Sequence, residues 1–242
     1  MNAPEAAVQA AALATDIFIT VPETTLPGGI TVPAFRVGQY VCTQDPAGRD
    51  AVTAEGAPWV RINFEEAKAA CIAAGYSLIT ELQWLAIAYN VSQQDCNWSG
   101  GKVGDGDLIR GLRKGNVSGA QPATFIPKDS DEQRWMMLSN GERICDLNGN
   151  VYQWVFDNVQ GDDQGVIARA FAKDSPSITT PPFPSRSHGM GDYEVWNWSG
   201  YALVRGGCWG SGGYAGAFRL GNVWPDYRLD GVGFRCTKPI GL

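Results

Sequence analysis

The side chains suited to a soft metal ion or to redox chemistry are six cysteines and one histidine. No two cysteines form a C-x-x-C pair, which excludes a zinc ribbon and a thioredoxin-like centre. Buried free thiols are the favoured interpretation; one or two disulfides are the alternative, and the spacing leaves their pairing open. His188, in "SRSHGMGD", excludes a multi-histidine metal site and is expected in an exposed loop rather than in a catalytic triad. The cysteines are Cys42, Cys71, Cys96, Cys145, Cys208 and Cys236.

The composition indicates a globular protein built from short elements and many turns. The 242 residues are 44% hydrophobic and include 30 glycines, 14 prolines and 9 tryptophans. A net charge of −6 argues against a nucleic-acid partner, and no apolar run reaches the roughly 18 residues that membrane insertion needs. The N-terminal stretch "MNAPEAAVQAAALATD" shows no Sec signal peptide, so work outside a cell would need another export route or assembly into a particle.

Two adjacent helices are predicted from their capping residues. Asn63 can cap the first helix with Glu66 at the N3 position, and Gly75 is placed to end it. Thr80 and Gln83 repeat the capping-box pattern at the start of the second helix. We expect the two short helices to pack together, joined by "GYSLI".

Short strands joined by turns are predicted over most of the remaining chain. The stretch "RWMMLSNGERICDL" predicts a hairpin with a type I′ turn at Asn140-Gly141. Residues 159–200 hold few periodic segments and many Pro, Ser, Gly and Asp residues, which indicates a long irregular insertion on the surface. We expect one α+β domain over residues 31–242. Residues 1–30 would form a tail and the first strand, a segment that could serve for attachment.

Several segments, in their order and spacing, resemble those of formylglycine-generating enzymes and sulfatase-modifying factors, which have a C-type lectin-like fold. They are "FRVGQYVCTQ", "PWVRINFEEAKAACIAAGYSLITELQWLAIA", "DLNGNVYQWVFD" and "VRGGCW" with "GFRC", and they span residues 33–236. The resemblance implies two helices beside a small, twisted antiparallel sheet, with long irregular loops supported by aromatic packing. Trp84, Trp154 and Trp209 are then expected in the core.

The chemistry of that family needs ligands that this sequence lacks. In the formylglycine-generating oxidases, two cysteines bind copper at the seventh and twelfth positions counted from the arginine of "RGG". The matching positions here are Ser211 and Gly216, which cannot supply the soft thiolates that Cu(I) prefers. The related sulfoxide synthases use a three-histidine iron site, which one histidine cannot build. We therefore expect no enzymatic activity and no required cofactor; an oxidase with an unrecognised site is the remaining alternative.

The segment from Arg205 to Arg235 is also similar to the C-terminal segment of variable proteins diversified by retroelements. The resemblance runs through "RGG", "AGAF" and "GFR", with Cys208 where the family has serine. Diversification of NNC codons cannot produce Lys, Glu, Gln, Met or Trp, and between residues 210 and 231 Trp224 is the one residue of these types. Trp224 is therefore either fixed or outside the diversified set. The residues expected to form the variable ligand-binding surface are Gly210, Ser211, Gly213, Tyr214, Arg219, Gly221, Val223, Trp224, Asp226, Tyr227, Arg228, Asp230 and Gly231.

A structural calcium ion is a further implication of the family resemblance. Relatives hold it in the "N-x-x-G-N-V-x-E" segment through an Asn side chain, backbone carbonyls and a Glu. The matching positions are Asp146, Gly149, Val151 and Gln153. Asp146 suits a hard cation that prefers oxygen ligands, but Gln153 in place of Glu loses a charge.

The resemblance to variable proteins implies a ligand-binding protein that displays a diversified surface. Its partner would be a protein or glycan receptor, and its location a phage tail tip or a bacterial surface. No nucleic-acid partner and no membrane insertion are expected, and the oligomeric state is open. The alternative is a non-diversified binding or structural member of the same fold.

Overall fold

The computed structural model describes residues 16–45, 47–180, 185–193 and 197–241. Two sheets of four strands each form the framework, together with two helices of 10 and 12 residues. The helices are α1 (Phe64–Ala73), α2 (Glu81–Ser92) and the one-turn α3 (Pro176–Thr179). The strands are β1 (Phe18–Val21), β2 (Thr24–Thr25), β3 (Thr31–Val32), β4 (Phe35–Gly38), β5 (Thr43–Gln44), β6 (Asp50–Ala51), β7 (Ser77–Leu78), β8 (Trp135–Met137), β9 (Arg143–Cys145), β10 (Tyr152–Val155), β11 (Ala202–Arg205), β12 (Leu220–Val223), β13 (Val232–Phe234) and β14 (Cys236–Pro239).

The two larger sheets differ in strand direction. The first has the order β1-β4-β14-β7, and its neighbouring strands are all antiparallel. The second has the order β12-β11-β10-β13, in which β10 and β13 run parallel, so this sheet is mixed. A parallel pair needs a long connection, and residues 156–231 provide it. The predicted α+β class, with small sheets beside two helices, is confirmed, although one sheet is not purely antiparallel.

Local sequence signals set the limits of both long helices as predicted. The Asn63 side chain accepts a hydrogen bond from the Glu66 amide at 2.8 Å, and the Glu66 carboxylate accepts one from the Asn63 amide at 3.1 Å. Thr80 and Gln83 make the same reciprocal pair at the start of α2. Gly75 has a φ of 81°, the left-handed conformation that commonly ends a helix.

Strands β8 and β9 form the predicted hairpin, but with a different turn. Met137 pairs with Arg143, so residues 138–142 form the connection. A type I′ turn requires positive φ at both central residues, and of Asn140 and Gly141 only Gly141 has it, at 85°. The type I′ prediction is therefore wrong. The Asn140 side chain instead donates to the Thr20 carbonyl at 2.9 Å, which ties the turn to β1.

The core is built around two of the three predicted tryptophans. Trp84 and Trp154 are fully buried, and their indole N–H groups donate to the carbonyls of Ala217 and Ile62 at 2.8 and 2.9 Å. Trp209 differs from the prediction, because it is half-buried and its indole nitrogen has no hydrogen-bond partner. The two hydrogen bonds explain why a polar-tipped side chain is accepted at the centre of the domain.

The described part of residues 159–200 is more deeply packed than a surface insertion should be. Ile167 and Ser177 are each 1% exposed, and the Ser177 hydroxyl donates to the side chain of Gln160 at 3.1 Å. This segment therefore contributes to the core beside α2. Among the described helices, none has the length and apolar character that a membrane crossing requires.

Candidate ligand-binding face

Two buried arginines fix the ends of the segment that the sequence singled out. Arg205 donates to the Glu81 carboxylate and, at 2.9 Å, to the Phe218 carbonyl. Arg235 donates to the Gln153 side-chain oxygen at 2.9 Å and to the Gly38 and Cys145 carbonyls at 2.7 Å. Both arginines are 0% exposed. Burial lowers the pKa of Arg235 to about 10, which leaves it charged at neutral pH.

The residues between these arginines divide into a buried scaffold and an accessible set. Ala215 and Phe218 are 0% exposed and Leu220 is 1% exposed, so these three point inward. Gly207 has a φ of 89°, and a Cβ there would lie 2.8 Å from the Ala215 Cα atom. Such a position accepts glycine readily and other residues only with strain.

None of the thirteen residues predicted to bind ligand is buried. Eight are exposed and five are partly exposed, which is the division expected for side chains that can vary without disturbing the core. The exposed members are Gly210, Gly213, Tyr214, Trp224, Asp226, Tyr227, Arg228 and Asp230, and the partly exposed ones are Ser211, Arg219, Gly221, Val223 and Gly231.

Four of these residues line one concave pocket of about 570 Å³. They are Tyr214, Arg219, Gly221 and Val223. Sequence reasoning missed Asn222 and five further polar or aromatic residues of its wall, and four of those five lie in the segment interpreted as a surface insertion. The five are Tyr152, Arg186, Asp192, Tyr193 and Trp198.

The aromatic and charged groups of the pocket hold one another in place. The Arg186 guanidinium lies 4.5 Å from the centre of the Tyr214 ring, and that of Arg219 lies 5.4 Å from the same ring. Arg219 also donates to the Tyr152 hydroxyl at 3.2 Å, and Arg186 pairs with the Asp192 carboxylate at 3.1 Å. The pocket therefore presents a Tyr ring beside two guanidinium groups, one of which is paired with the Asp192 carboxylate, and this arrangement suits a polar, hydroxyl-rich ligand.

Of the remaining exposed residues, those from Trp224 to Asp230 lie on a loop held against the start of α1, whereas Gly210 and Gly213 lie between β11 and β12. Arg228 forms an ion pair with Glu66, and Asp230 forms one with Arg61. The hydrogen bond from Arg228 holds the pKa of Glu66 below its usual range, and that from Arg61 does the same for Asp230. Asp226, Tyr227, Arg228 and Asp230 do not line the pocket. The predicted surface is thus a pocket with a neighbouring loop rather than one continuous site.

Trp224 begins that loop and is packed on one side. Its ring stacks on Tyr201 with a centroid distance of 4.0 Å and an interplanar angle of 30°. The other face of the ring is open to solvent, and Trp224 is 44% exposed. Trp224 therefore combines a fixed orientation with a free aromatic surface.

The copper positions of the related oxidases do not fit a metal ion in this chain. The Ser211 hydroxyl accepts a hydrogen bond from the Cys208 amide at 2.8 Å, and it is not a thiol. At Gly216, an added Cβ atom would overlap the backbone of Met190 and Gly191. A cysteine at that position would require the 189–191 segment to move, so the donor set and the available space both disagree with copper.

The proposed calcium residues are held by two arginines. Both carboxylate oxygens of Asp146 are taken by Arg134, at 2.8 and 2.5 Å. Gln153 donates to the Asp146 carbonyl at 2.8 Å, and its oxygen accepts from Arg235. The segment reaches this arrangement through positive φ at Gly149 (72°), and Val151 is fully buried beside it. Because cationic side chains already occupy the oxygen ligands, the arrangement does not fit a calcium ion.

Comparison with known proteins places the chain in a family. No curated protein matches the sequence. Among solved structures, similarity is found to CarF (14% identity, TM-score 0.51, covering 93% of this chain and 98% of that chain). It is also found to Treponema denticola variable protein 1 (17% identity, TM-score 0.48, covering 93% and 92%). The Major Tropism Determinant P3c variant matches with 13% identity and a TM-score of 0.39, over 90% of this chain and 52% of that one. The model of one family, the sulfatase-modifying factor enzyme 1-like domain, matches residues 30–240, and this chain therefore belongs to that family.

Proposed function

We propose that this protein is a ligand-binding variable protein that displays residues 210–231 to a protein or glycan receptor. One observation carries the proposal. Within the described ranges, the most exposed aromatic residues are Tyr214, Trp224 and Tyr227, at 47%, 44% and 51%. All three lie in this one segment, and tyrosine and tryptophan dominate the energetic hot spots of protein interfaces.

The separation of scaffold and surface supports diversification of this segment. Residues 215–218 and Leu220 are buried, and apart from Arg219 the accessible residues lie before and after them in the chain, so a change at an accessible position leaves the core packing intact. The buried ion pair of Arg205 holds the segment's first end independently of the accessible residues. A retroelement could therefore rewrite the accessible codons and still leave a folded protein.

The setting we propose is a phage tail tip or a bacterial surface, where a changed receptor specificity would be selected. The alternative is a member of the same family that binds a fixed ligand without diversification. Oxidase activity has less support, because position 211 lacks a thiol and position 216 has no room for one.

Diversification has a genomic test. An adenine-rich near-copy of the codons for residues 205–235, beside a reverse transcriptase gene, is the expected result. Its absence would contradict diversification and leave the fixed-ligand alternative.

Binding has a test in solution with a matched control. We expect Tyr214→Ser, Trp224→Ser and Tyr227→Ser, combined, to lower binding to responsive members of a panel of bacterial cells and immobilised glycans by about a hundredfold or more, as hot-spot residues do. Ile72→Ser with Ile126→Ser is the control, since these side chains are 71% and 83% exposed and lie outside the segment. Equal binding by both variants would contradict the proposed face.

Catalysis is tested separately. Copper titration followed by measurement of thiol-dependent oxygen consumption should show no turnover. Clear turnover would overturn the interpretation as a binding protein without oxidase activity.

A further inference from the structure

Three buried thiols and one buried carboxylate meet at a place that the binding face does not use. Cys42 lies directly before β5, Asp50 begins β6, Cys71 lies in α1 and Cys236 begins β14. The three cysteines are 0% exposed and Asp50 is 8% exposed. We call these four residues the thiol–carboxylate cluster. They come from parts of the chain that are far apart in sequence, so tertiary folding brings them together.

Three of the four side chains lie within reach of one ion, and the sulfur of the fourth, Cys71, contacts one of them. The Cys236 sulfur lies 2.8 Å from the Cys71 sulfur and 2.7 Å from the Asp50 Oδ2 atom. The ligand atoms of Cys42, Asp50 and Cys236 all lie within 4.8 Å of one another. No other His, Cys, Asp or Glu group among the described residues offers three such atoms so close together.

The Asp50 carboxylate is incompletely satisfied. Its Oδ1 atom is buried and has no hydrogen-bond partner. Asp50 takes part in no salt bridge with a Lys or Arg of the described chain, whereas buried Glu81 and Asp146 each have an arginine. Buried Asp157 also lacks such a partner, but it belongs to no cluster of three metal-binding groups in the described chain. A buried carboxylate without a cation is costly, and buried acids are normally paired or bound to a metal.

We propose that the thiol–carboxylate cluster binds one zinc ion through the sulfurs of Cys42, Cys71 and Cys236 and one oxygen of Asp50. Binding forms three Zn–S bonds and one Zn–O bond, and each thiol releases its proton to solvent as it becomes a thiolate. The set of four protein ligands gives a closed, tetrahedral structural site. The hard carboxylate oxygen distinguishes it from a site for Cu(I), which takes soft ligands alone.

The ion would expand the cluster slightly. Tetrahedral zinc with Zn–S bonds of about 2.3 Å separates neighbouring sulfurs by about 3.8 Å, so Cys71 and Cys236 must move apart by about 1 Å. The short hairpin of β5 and β6 carries Asp50 and follows Cys42, and it is the element whose opening would admit the ion. A second arrangement of the same atoms, a Cys71–Cys236 disulfide, would leave Asp50 and Cys42 unexplained.

Metal content gives the first test. The full chain is produced with zinc and purified without chelator, and zinc is measured per protein by elemental analysis, with about one equivalent expected. Replacement of zinc by cobalt should produce the intense near-ultraviolet band of thiolate-to-cobalt charge transfer. Zinc at well below one equivalent, together with no cobalt band in the fully reduced protein, would overturn the proposal.

Variants and a thiol count give the second test. Asp50→Asn removes a direct ligand, so it should weaken zinc binding by more than the roughly 10- to 100-fold that loss of an outer-shell partner costs. Cys42→Ser should lower the zinc content to below one equivalent per chain. Cys96→Ser and Cys208→Ser are the controls and should keep their zinc, because neither belongs to the cluster. After denaturation with chelator, six thiols are expected per chain. A count of two fewer thiols, together with a protein mass lower by two hydrogens, would overturn the zinc site in favour of a Cys71–Cys236 disulfide.

Discussion

Arg205 and Glu81 form an ion pair in which both side chains are 0% exposed. The two residues are 124 positions apart and join the start of the variable segment to the first residue of α2. Because the second guanidinium nitrogen also donates to the Ser177 carbonyl at 3.1 Å, the same arginine binds three separate parts of the chain. This pair fixes where the binding face begins.

Breaking that pair should strongly destabilise the fold. Glu81→Gln leaves the Arg205 charge buried without compensation, and we expect a loss of about 3–5 kcal/mol in the free energy of unfolding. Urea denaturation measures it. Glu65→Gln, which removes an exposed partner of Lys68, is the control and should cost less than about 1 kcal/mol. Similar losses for both variants would mean that burial of the Arg205 pair is not what stabilises the segment.

The scaffold and the surface of the segment should respond differently to the same change. Phe218→Ala empties a buried site and should lower stability by about 3–5 kcal/mol. Tyr227→Ala removes an equally large ring that is 51% exposed and should change stability by no more than about 0.5 kcal/mol. Thermal and urea unfolding of the two variants provide the comparison. A large loss for Tyr227→Ala would show that the ring is structural.

Calcium should have no effect on thermal stability. Arg134 already holds both oxygens of Asp146, so the melting temperature should be the same in calcium and in EDTA. Asp146→Asn should instead lower stability by about 3–5 kcal/mol, because it strands the buried Arg134 charge. Asp131→Asn, at an exposed pair with Lys114, is the matched control and should cost less than about 1 kcal/mol. A rise in melting temperature on adding calcium would contradict the arrangement.

Asp157 should make stability depend on pH. It is fully buried, and its Oδ2 atom has no partner. Burial, and then the nearby Glu81 charge, raise the pKa of Asp157. The folded protein therefore holds this proton more tightly than the unfolded chain, whose Asp pKa is about 3.9, and stability falls as pH rises from that value to the folded pKa.

Replacing this residue should remove its share of the pH dependence. Asp157→Asn should gain stability relative to the wild type as pH rises through that window and keep a constant advantage above it. Urea midpoints measured from about pH 3.5 to 7 test this. Parallel curves for the two proteins would show that Asp157 does not titrate differently in the folded state.

Gly216 should be intolerant of a side chain. Gly216→Ala pushes a Cβ atom into the backbone of Gly191, and overpacking of this kind typically costs about 1–3 kcal/mol. Gly213→Ala is the control, since its Cβ atom would meet nothing closer than 3.9 Å. Urea unfolding of both variants measures the difference in stability. Full tolerance at Gly216 would reopen room for a copper-binding cysteine at this position.

The sequence by itself determined the features that depend on near neighbours. Asn63 with Glu66 and Thr80 with Gln83 set the helix starts, because a capping box needs only residues three positions apart. Burial of Phe218 could also be predicted from its place in the "AGAF" motif. The type I′ prediction at Asn140-Gly141 was wrong because the connection spans residues 138–142, the Gly141 amide donates to the Leu138 carbonyl, and only Gly141 has positive φ.

Only the tertiary structure decided what surrounds each candidate residue. No residue near Asp146 in the sequence predicts that Arg134 will bind its carboxylate. Likewise, nothing in "SRSHGMGD" predicts that Arg186 will lie over the Tyr214 ring. The thiol–carboxylate cluster likewise exists only after four separate elements have packed together. Such contacts join residues whose separation in the chain carries no periodic signal. These contacts form because the packing of the two sheets and α2 against one another determines which side chains become neighbours.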